Sequence, residues 1–160
     1  MYHWTSEAVA AGHPDKVADQ IADSVLDAYL AGDPYSRVAC EVTICKDLVL
    51  VTGEITSKAT VDIEQITRDT LCRIGYDRAA HGMDGRTVEI INRITTQSPE
   101  IAKAVAKDGE DAKSGDQGMM FGYACDETPA FMPLAHHLSF EIINFLKKDI
   151  WTRTTKEFDK

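Results

Sequence analysis

The stretch VACEVTICKDLVLVTGEIT, residues 38–56, decides the predicted fold. From Val38 to Ile44 every second residue is apolar, which is the period of a strand that packs one face on a core. The dipeptide Lys46-Asp47 then turns the chain, and the rest of the stretch returns it, so the pattern predicts a β-hairpin. Gly53 interrupts the second strand, where a glycine often marks the close approach of another backbone.

A helix is predicted before this hairpin and another after it. The first runs from about Pro14 to Leu30 and ends at Gly32-Asp33-Pro34. The second begins after Asp62, which caps it together with Gln65, and glycine 75 ends it. Apolar residues at helical spacing mark the buried sides: Val17, Ile21, Val25 and Tyr29 in the first helix, and Ile63, Ile66, Leu71 and Ile74 in the second.

The remaining elements are predicted from shorter patterns. Residues 1–7 form a short strand or an extended arm, and residues 86–94 and 119–125 form strands. A last helix opens at Pro133 and ends in a polar tail. Strands separated by helices predict an α+β fold, with the helices packed on one face of a mainly antiparallel sheet.

Composition limits the class of protein. The chain has 160 residues, of which 44% are hydrophobic, as in globular proteins. Its net charge of −9 argues against nucleic acid as a partner, although an acidic chain can hold a polyphosphate through divalent cations. No apolar run could span a membrane, and the first residues lack the pattern of a signal peptide, so we expect a cytoplasmic protein.

The cysteine pattern predicts reduced thiols. None of the four cysteines forms a C-x-x-C pair, and no histidine pattern completes a zinc site. Cys40 and Cys45 lie on one predicted strand and point to opposite faces, so they should not bridge. We expect all four thiols to be buried and reduced.

The pentapeptide Gly12-His13-Pro14-Asp15-Lys16 concentrates polar chemistry where the first helix begins. Helix starts favour anions and metal-bound phosphates. Each residue also has a simpler interpretation: His13 as a cap or a core residue, Asp15 as a partner of the helix dipole, and Lys16 as a solvated charge. Spacing alone does not decide between the two.

Three other features are weaker candidates for a site. Glu41 and Glu54 lie inside the hairpin, and each is either a solvent-facing carboxylate or a ligand for a metal or an ammonium group. The loop Gly115-Asp116-Gln117-Gly118 could bring its backbone close to a ligand, or be a simple turn. Gln97 is an amide at a strand-to-loop junction with no signal of its own.

Taken together, these motifs closely resemble the S-adenosylmethionine synthetase family, also called methionine adenosyltransferases. They occur in that family's order and spacing from the N-terminus to about Leu138. The motifs are Thr5-Ser6-Glu7, Gly12-His13-Pro14-Asp15-Lys16, Ala18-Asp19-Gln20-Ile21, Gly53-Glu54-Ile55-Thr56, Ile74-Gly75-Tyr76, Gln97-Ser98-Pro99 and Gly115-Asp116-Gln117-Gly118.

The resemblance implies an enzyme that joins methionine to ATP and releases phosphate and pyrophosphate. It implies that His13 and Lys16 are catalytic, with His13 contacting ATP near the reacting carbon and Lys16 beside the phosphates. It implies that Asp15 holds Mg²⁺, of which the family uses two ions per site.

The resemblance also assigns the other candidates. Glu41 matches the family's K⁺ ligand, while Glu54 and Gln97 match its methionine contacts. Asp116 lies in the loop that the family uses near methionine and adenosine, so it is expected to contact both substrates. A homodimer or a dimer of dimers is implied, because the family's active sites form between two subunits.

The resemblance further implies a division of the chain. Residues 1–96 would be an N-terminal α+β domain, residues 97–112 a mobile active-site loop, and residues 113–160 the truncated beginning of a central domain. Family members are more than twice as long, so we expect the chain alone to be inactive. Alternatives are a non-catalytic truncated paralogue that pairs with a full-length subunit and, least favoured, a stand-alone metal- or nucleotide-binding module.

Overall fold

The computed structural model describes residues 3–96 and 118–158. The chain divides into two compact units, one of Ala11–Gln117 and one of Met1–Ala10 with Gly118–Lys160. None of the described helices is long and apolar enough to cross a membrane.

Helix α1, Pro14–Gly32, confirms the first predicted helix. Its buried residues are those of the predicted stripe: Val17, Ile21, Val25 and Tyr29. The helix ends at Asp33, whose buried carboxylate accepts hydrogen bonds from the backbone N–H groups of Tyr35 at 3.1 Å and Lys58 at 2.9 Å. One side chain therefore both ends the helix and ties it to the segment after the hairpin.

The hairpin is formed by strands β1, Arg37–Cys45, and β2, Leu48–Thr56, which pair antiparallel. The turn between them needs Lys46 at a φ of 50°. Strand β5, Glu89–Thr95, begins three residues later than predicted and pairs parallel with β2, which gives the order β1-β2-β5.

Helix α2, Ile63–Ile74, explains the parallel pairing, because a crossover connection is needed to bring the chain back in the same direction. Asp62 caps it as predicted, accepting from the Gln65 N–H at 3.0 Å. The Gln65 side chain, however, donates onward to Asp69 and does not return to the cap, so only half of the capping box forms. Glycine 75 ends the helix at a φ of 119°.

A small hairpin follows α2 that the sequence did not predict. Strands β3, Asp77–Arg78, and β4, Met83–Asp84, pair antiparallel around a short 3₁₀ helix, Ala79–His81. The strands are too short to show an alternating pattern. The α+β class is confirmed, and two of the three strand pairings among the described residues are antiparallel.

The core of this unit lies between the helices and one face of the three-stranded sheet. Val49, Val51 and Ile55 of β2 are buried together with the apolar stripe of α1 and with Leu71 of α2. On the opposite face, which we call the open face, the intervening residues of β1 are exposed. Open-face positions of the sheet are Arg37, Ala39, Glu41, Thr43, Cys45, Leu48, Leu50, Thr52, Glu54, Thr56, Glu89, Ile91, Arg93 and Thr95.

The second unit contains helix α3, Leu134–Phe158, preceded by Pro133 as predicted. The predicted strand over residues 119–125 is wrong, because this segment has no regular structure. A strand needs a neighbour for its backbone hydrogen bonds, and the described part of this unit holds no other strand. Large apolar side chains are exposed here: Met119, Met120, Phe121, Tyr123, Leu134, Leu138, Ile142 and Phe145.

Candidate functional site

His13 is the N-cap of α1. Its backbone is extended, at φ −64° and ψ 137°, and its Nδ1 accepts the backbone N–H of Asp15 at 3.2 Å. Its carbonyl accepts the N–H of Val17 at 2.9 Å, which closes the first helical turn. The cap interpretation of His13 therefore holds, but a cap uses only one of the two ring nitrogens.

The capping bond determines what the other nitrogen can do. A nitrogen that accepts a hydrogen bond carries no proton, so the neutral His13 ring that caps α1 carries its proton on Nε2. The His13 side chain is 41% exposed. The half-exposed ring thus carries an N–H donor at the start of a 19-residue helix, where the dipole already favours negative charge.

Asp15 lies in the first turn of α1 and is almost fully accessible, with 89% of its side chain exposed. Its Oδ2 is 3.9 Å from Nδ1 of His13, a loose contact. Its exposed carboxylate fits a Mg²⁺ ion, which is often held by one or two carboxylates plus substrate phosphates and water. Lys16 follows in the same turn and is half-buried.

Two side chains that the sequence analysis did not identify as site residues form hydrogen bonds to the backbone just before this helix. Nε2 of Gln20 donates to the carbonyls of Ala11 and Lys16, both at 2.9 Å. The hydroxyl of Tyr76 donates to the carbonyl of Gly12 at 2.5 Å. Both residues belong to segments that resemble the family, but residue type and spacing do not indicate which carbonyl a distant tyrosine will reach.

Glu41 and Glu54 lie on the open face, away from the side on which α1 packs. The register aligns Glu41 with Thr52 and Glu54 with Ala39, so the two carboxylates are diagonal neighbours on adjacent strands. Both are exposed. Because neither carboxylate is buried, folding does not require a cation or hydrogen-bond donor beside either of them.

Gly53, directly before Glu54, confirms the predicted close approach. Its φ is 136°, and a Cβ placed on it would lie 1.9 Å from the carbonyl oxygen of Ala39. Only glycine allows the two strands to pair at this point. Gly53 thus keeps β2 paired with β1 directly before Glu54.

The cysteine prediction holds in part. All four cysteines are free, and Cys40 and Cys45 lie on opposite faces of β1 as expected. Burial, with a smaller contribution from the charge of Glu41, raises the pKa of the Cys40 thiol and keeps it protonated. The expected burial is wrong: Cys40, Cys72 and Cys125 are only half-buried, and Cys45, on the open face, is exposed.

The remaining predicted site residues, Gln97 and Asp116, lie outside the described residues, as does the predicted loop of residues 97–112. Within the described ranges, no group of three or more acidic, histidine or cysteine side chains is arranged to hold a metal alone. A metal at Asp15 or Glu41 would therefore need oxygen ligands from a substrate, from water or from elsewhere.

An open cavity of about 340 Å³ lies elsewhere in the same unit and involves none of the predicted residues. Asp47, Asp84 and Glu89 are among the residues that line it. Asp47, Asp84 and Glu89 give this cavity a negative charge, and without bound cations that charge would repel a polyphosphate.

Comparison with known proteins supports the same family from both units. The model of the S-adenosylmethionine synthetase N-terminal domain matches residues 1–99, and that of the central domain matches residues 111–158. The S-adenosylmethionine synthase of Oleidesulfovibrio alaskensis is 46% identical over 170 aligned residues, which cover 98% of this chain and 44% of the relative. The synthase of Nitratidesulfovibrio vulgaris is 45% identical with the same coverage.

An α+β fold with this helix start, and family models that match most of its length, define the class of protein. The chain belongs to the S-adenosylmethionine synthetase family. It spans 44% of the length of the curated relatives that it matches.

Proposed function

We propose that this chain supplies the metal- and ATP-binding side of a methionine adenosyltransferase, which forms S-adenosylmethionine from ATP and L-methionine. The observation that carries the proposal is the start of α1, where the His13 cap leaves Nε2–H available as a donor and Asp15 adds an exposed carboxylate in the first turn. A cap alone needs neither.

His13 would act on the departing triphosphate. As the methionine sulfur attacks the 5′ carbon of the ribose, charge grows on the oxygen that leaves. The Nε2–H of His13 would donate a hydrogen bond to the leaving group, and the helix start would add its partial positive charge. Lys16, in the first turn of the helix, would lie beside the phosphates. A Mg²⁺ ion held by Asp15 would neutralise part of the triphosphate charge when bound.

The open face would hold methionine and the second cation. Glu54 would bind the substrate ammonium with Gln97, and Asp116 would lie between methionine and adenosine. Glu41, diagonal to Glu54, would bind K⁺. These roles come from the family resemblance, and the exposure of both carboxylates leaves them accessible for it.

The site would be shared between two copies. Glu41 and Glu54 project from the face of the sheet that is turned away from α1, whereas His13 and Asp15 lie at the start of α1. One chain therefore presents two half-sites on different sides, which fits an active site formed between subunits of a homodimer or a dimer of dimers.

The chain alone would not catalyse the formation of S-adenosylmethionine. We propose residues 1–96 as the N-terminal domain, residues 97–112 as the active-site loop and residues 113–160 as the beginning of the central domain. The cations expected to face His13 across the triphosphate would come from segments that longer relatives carry. Incubation with ATP, methionine, Mg²⁺ and K⁺ should yield no S-adenosylmethionine, and an ordinary turnover rate would contradict this part of the proposal.

The second candidate is a non-catalytic subunit that associates with a full-length synthetase. It is favoured by the exposed apolar side chains of the second unit, including Met120 at 94% and Phe121 at 90% exposure. Co-purification with a full-length synthetase, together with no response of His13 to Mg·ATP, would favour this role over a catalytic one.

A nuclear magnetic resonance titration with Mg·ATP tests the leading proposal. About half of the contacts to ATP are expected to come from segments that longer relatives carry. We therefore predict weak, saturable binding of Mg·ATP with a Kd on the order of 1 mM. The His13 ring and the amides of Asp15 and Lys16 should shift, and the same titration with EDTA should not shift them. No response at these three residues would contradict the proposal.

A further inference from the structure

Two consecutive carbonyl groups directly before His13 are held by side chains from elsewhere in the fold. Gln20 holds the carbonyl of Ala11 at 2.9 Å, and Tyr76 holds the carbonyl of Gly12 at 2.5 Å. Tyr76 is 64 residues away in sequence from Gly12. Neither contact belongs to the helix or the sheet, so secondary structure alone does not account for them.

The bond to Gly12 acts on His13 through the planarity of the peptide group. The carbonyl oxygen of Gly12 and the nitrogen and Cα of His13 lie in one rigid plane. A hydrogen bond to that oxygen fixes the orientation of the plane, and the His13 backbone and ring follow from it. The capping distance of 3.2 Å to the Asp15 amide depends on this orientation.

The two donors are themselves held in place. The N–H of Tyr76 donates to the carbonyl of Leu71 at 3.0 Å, and its carbonyl accepts the N–H of Gly85 at 2.8 Å. Its ring packs against the core, and a Cβ on Gly12 would lie 3.4 Å from its hydroxyl. Gln20 is locked between two acceptors, one before α1 and one in its first turn.

We propose that Tyr76 and Gln20 are positioning residues for His13: they orient the Ala11–Gly12 backbone so that Nδ1 of the ring caps α1 and Nε2 carries the proton toward the triphosphate. The proposal rests on the proposed function only for the identity of the ligand. The orientation of the ring is a property of the chain itself.

The test uses the 160-residue chain with Tyr76→Phe, which removes one hydroxyl and keeps the ring, and with Gln20→Met, which removes the amide. Two quantities are measured by nuclear magnetic resonance: the hydrogen-exchange rate of the Asp15 amide and the tautomer of His13, read from its ring nitrogen shifts. We expect exchange to rise about tenfold and the single Nε2–H tautomer to be lost, since about 1.4 kcal/mol corresponds to a tenfold change.

Matched controls make the same chemical changes elsewhere. Tyr35→Phe alters a tyrosine that is 90% exposed, and Gln65→Met alters an exposed glutamine of α2. Both should leave Asp15 exchange and the His13 tautomer unchanged, and the ring of His136 serves as an internal reference. An unchanged His13 tautomer in both test variants would overturn the proposal.

A purely structural effect is also an overturning result. It would appear as a rise in exchange at the buried Val25 and Leu71 amides equal to that at Asp15, because the whole unit would then be loosened. No ATP is present in this experiment. A chain that shows the predicted changes but no Mg·ATP response would keep the positioning role and lose the enzyme assignment.

Discussion

The backbone N–H of Asp15 donates to Nδ1 of His13 across 3.2 Å, so one ring nitrogen serves the helix and the other is available to a ligand. The same bond sets the neutral tautomer, in which the proton is on Nε2. The His13 side chain thus both stabilises the start of α1 and offers a hydrogen bond to a ligand. Substitutions of His13 can separate these two roles.

Replacing His13 should separate its two roles. His13→Ala removes both the cap and the ring, and we expect it to cost about 1 kcal/mol of unfolding free energy, as lost N-caps do. His13→Asn retains a good capping side chain and should cost little. Both should abolish the response to Mg·ATP. Urea unfolding and the ATP titration measure the two effects, and wild-type ATP binding in either variant would refute the ligand role.

Replacing Asp15 by Asn should affect binding far more than folding. The side chain is 89% exposed, so the folded state loses only part of its interaction with the helix dipole, about 0.5 kcal/mol. Calorimetry should show ATP affinity reduced about tenfold or more with Mg²⁺, by loss of roughly 1.4 kcal/mol, and no binding to either chain with EDTA. Asp19→Asn, an exposed carboxylate one turn along α1, is the control and should bind like the parent chain.

Replacing Gly53 by Ala should strongly destabilise the fold. The new Cβ would combine an unfavourable positive φ with a 1.9 Å contact to the Ala39 carbonyl, and we expect a loss of more than about 2 kcal/mol. Gly75→Ala is the matched control, with a φ of 119° and no atom within 4 Å of the added Cβ. It should cost only about 1 kcal/mol. Equal losses in the two variants would show that the strand contact at Gly53 is unimportant.

Asp33 should make stability depend on pH at the acidic end. Hydrogen bonds from the backbone of Lys58 and then Tyr35 hold its pKa below the ordinary 3.8. A carboxyl with a lower pKa in the folded state stabilises the fold above its unfolded pKa, and this is lost as pH falls through the folded value. Asp33→Asn should lower the urea midpoint at neutral pH and flatten its fall below about pH 4.

A control is needed to distinguish the effect of Asp33 on acid stability from that of a second carboxylate with a lowered pKa. The pKa of Asp77 is also lowered, chiefly by a hydrogen bond from Arg78, so it contributes in the same direction. Asp77→Asn should remove only this second contribution and leave that of Asp33. An Asp33→Asn chain with the same pH profile as the parent would contradict the assignment.

Local patterns predicted most of the fold, because each element has its own signal. The stripe from Val17 to Tyr29, the alternation in β1 and the caps at Asp62 and Gly75 all depend on neighbours in sequence. The parallel pairing of β5 depends on a crossover, and the strand predicted at residues 119–125 depends on a neighbour that the described residues do not supply. Local sequence patterns do not predict such contacts between distant segments.

The candidate site was predictable in residue type but not in arrangement. The pentapeptide ending at Lys16 and the two hairpin glutamates were identified from sequence and resemblance. Their location on different sides of the sheet follows from strand register and helix packing. Tyr76 could not be found from spacing, because its contact with Gly12 exists only once α2 has packed beside α1.

The most direct test of the central claim is the activity of a chimera in which residues 1–158 of this chain replace the matching segment of the Oleidesulfovibrio alaskensis synthase. If this chain carries a working ATP, Mg²⁺ and methionine half-site, the chimera should form S-adenosylmethionine within about tenfold of the parent rate, a barrier change of roughly 1.4 kcal/mol. His13→Asn in the chimera should lower kcat by about 10²-fold or more, as expected when a group that stabilises transition-state charge is removed. A folded chimera without activity, or one that is indifferent to His13, would contradict the account.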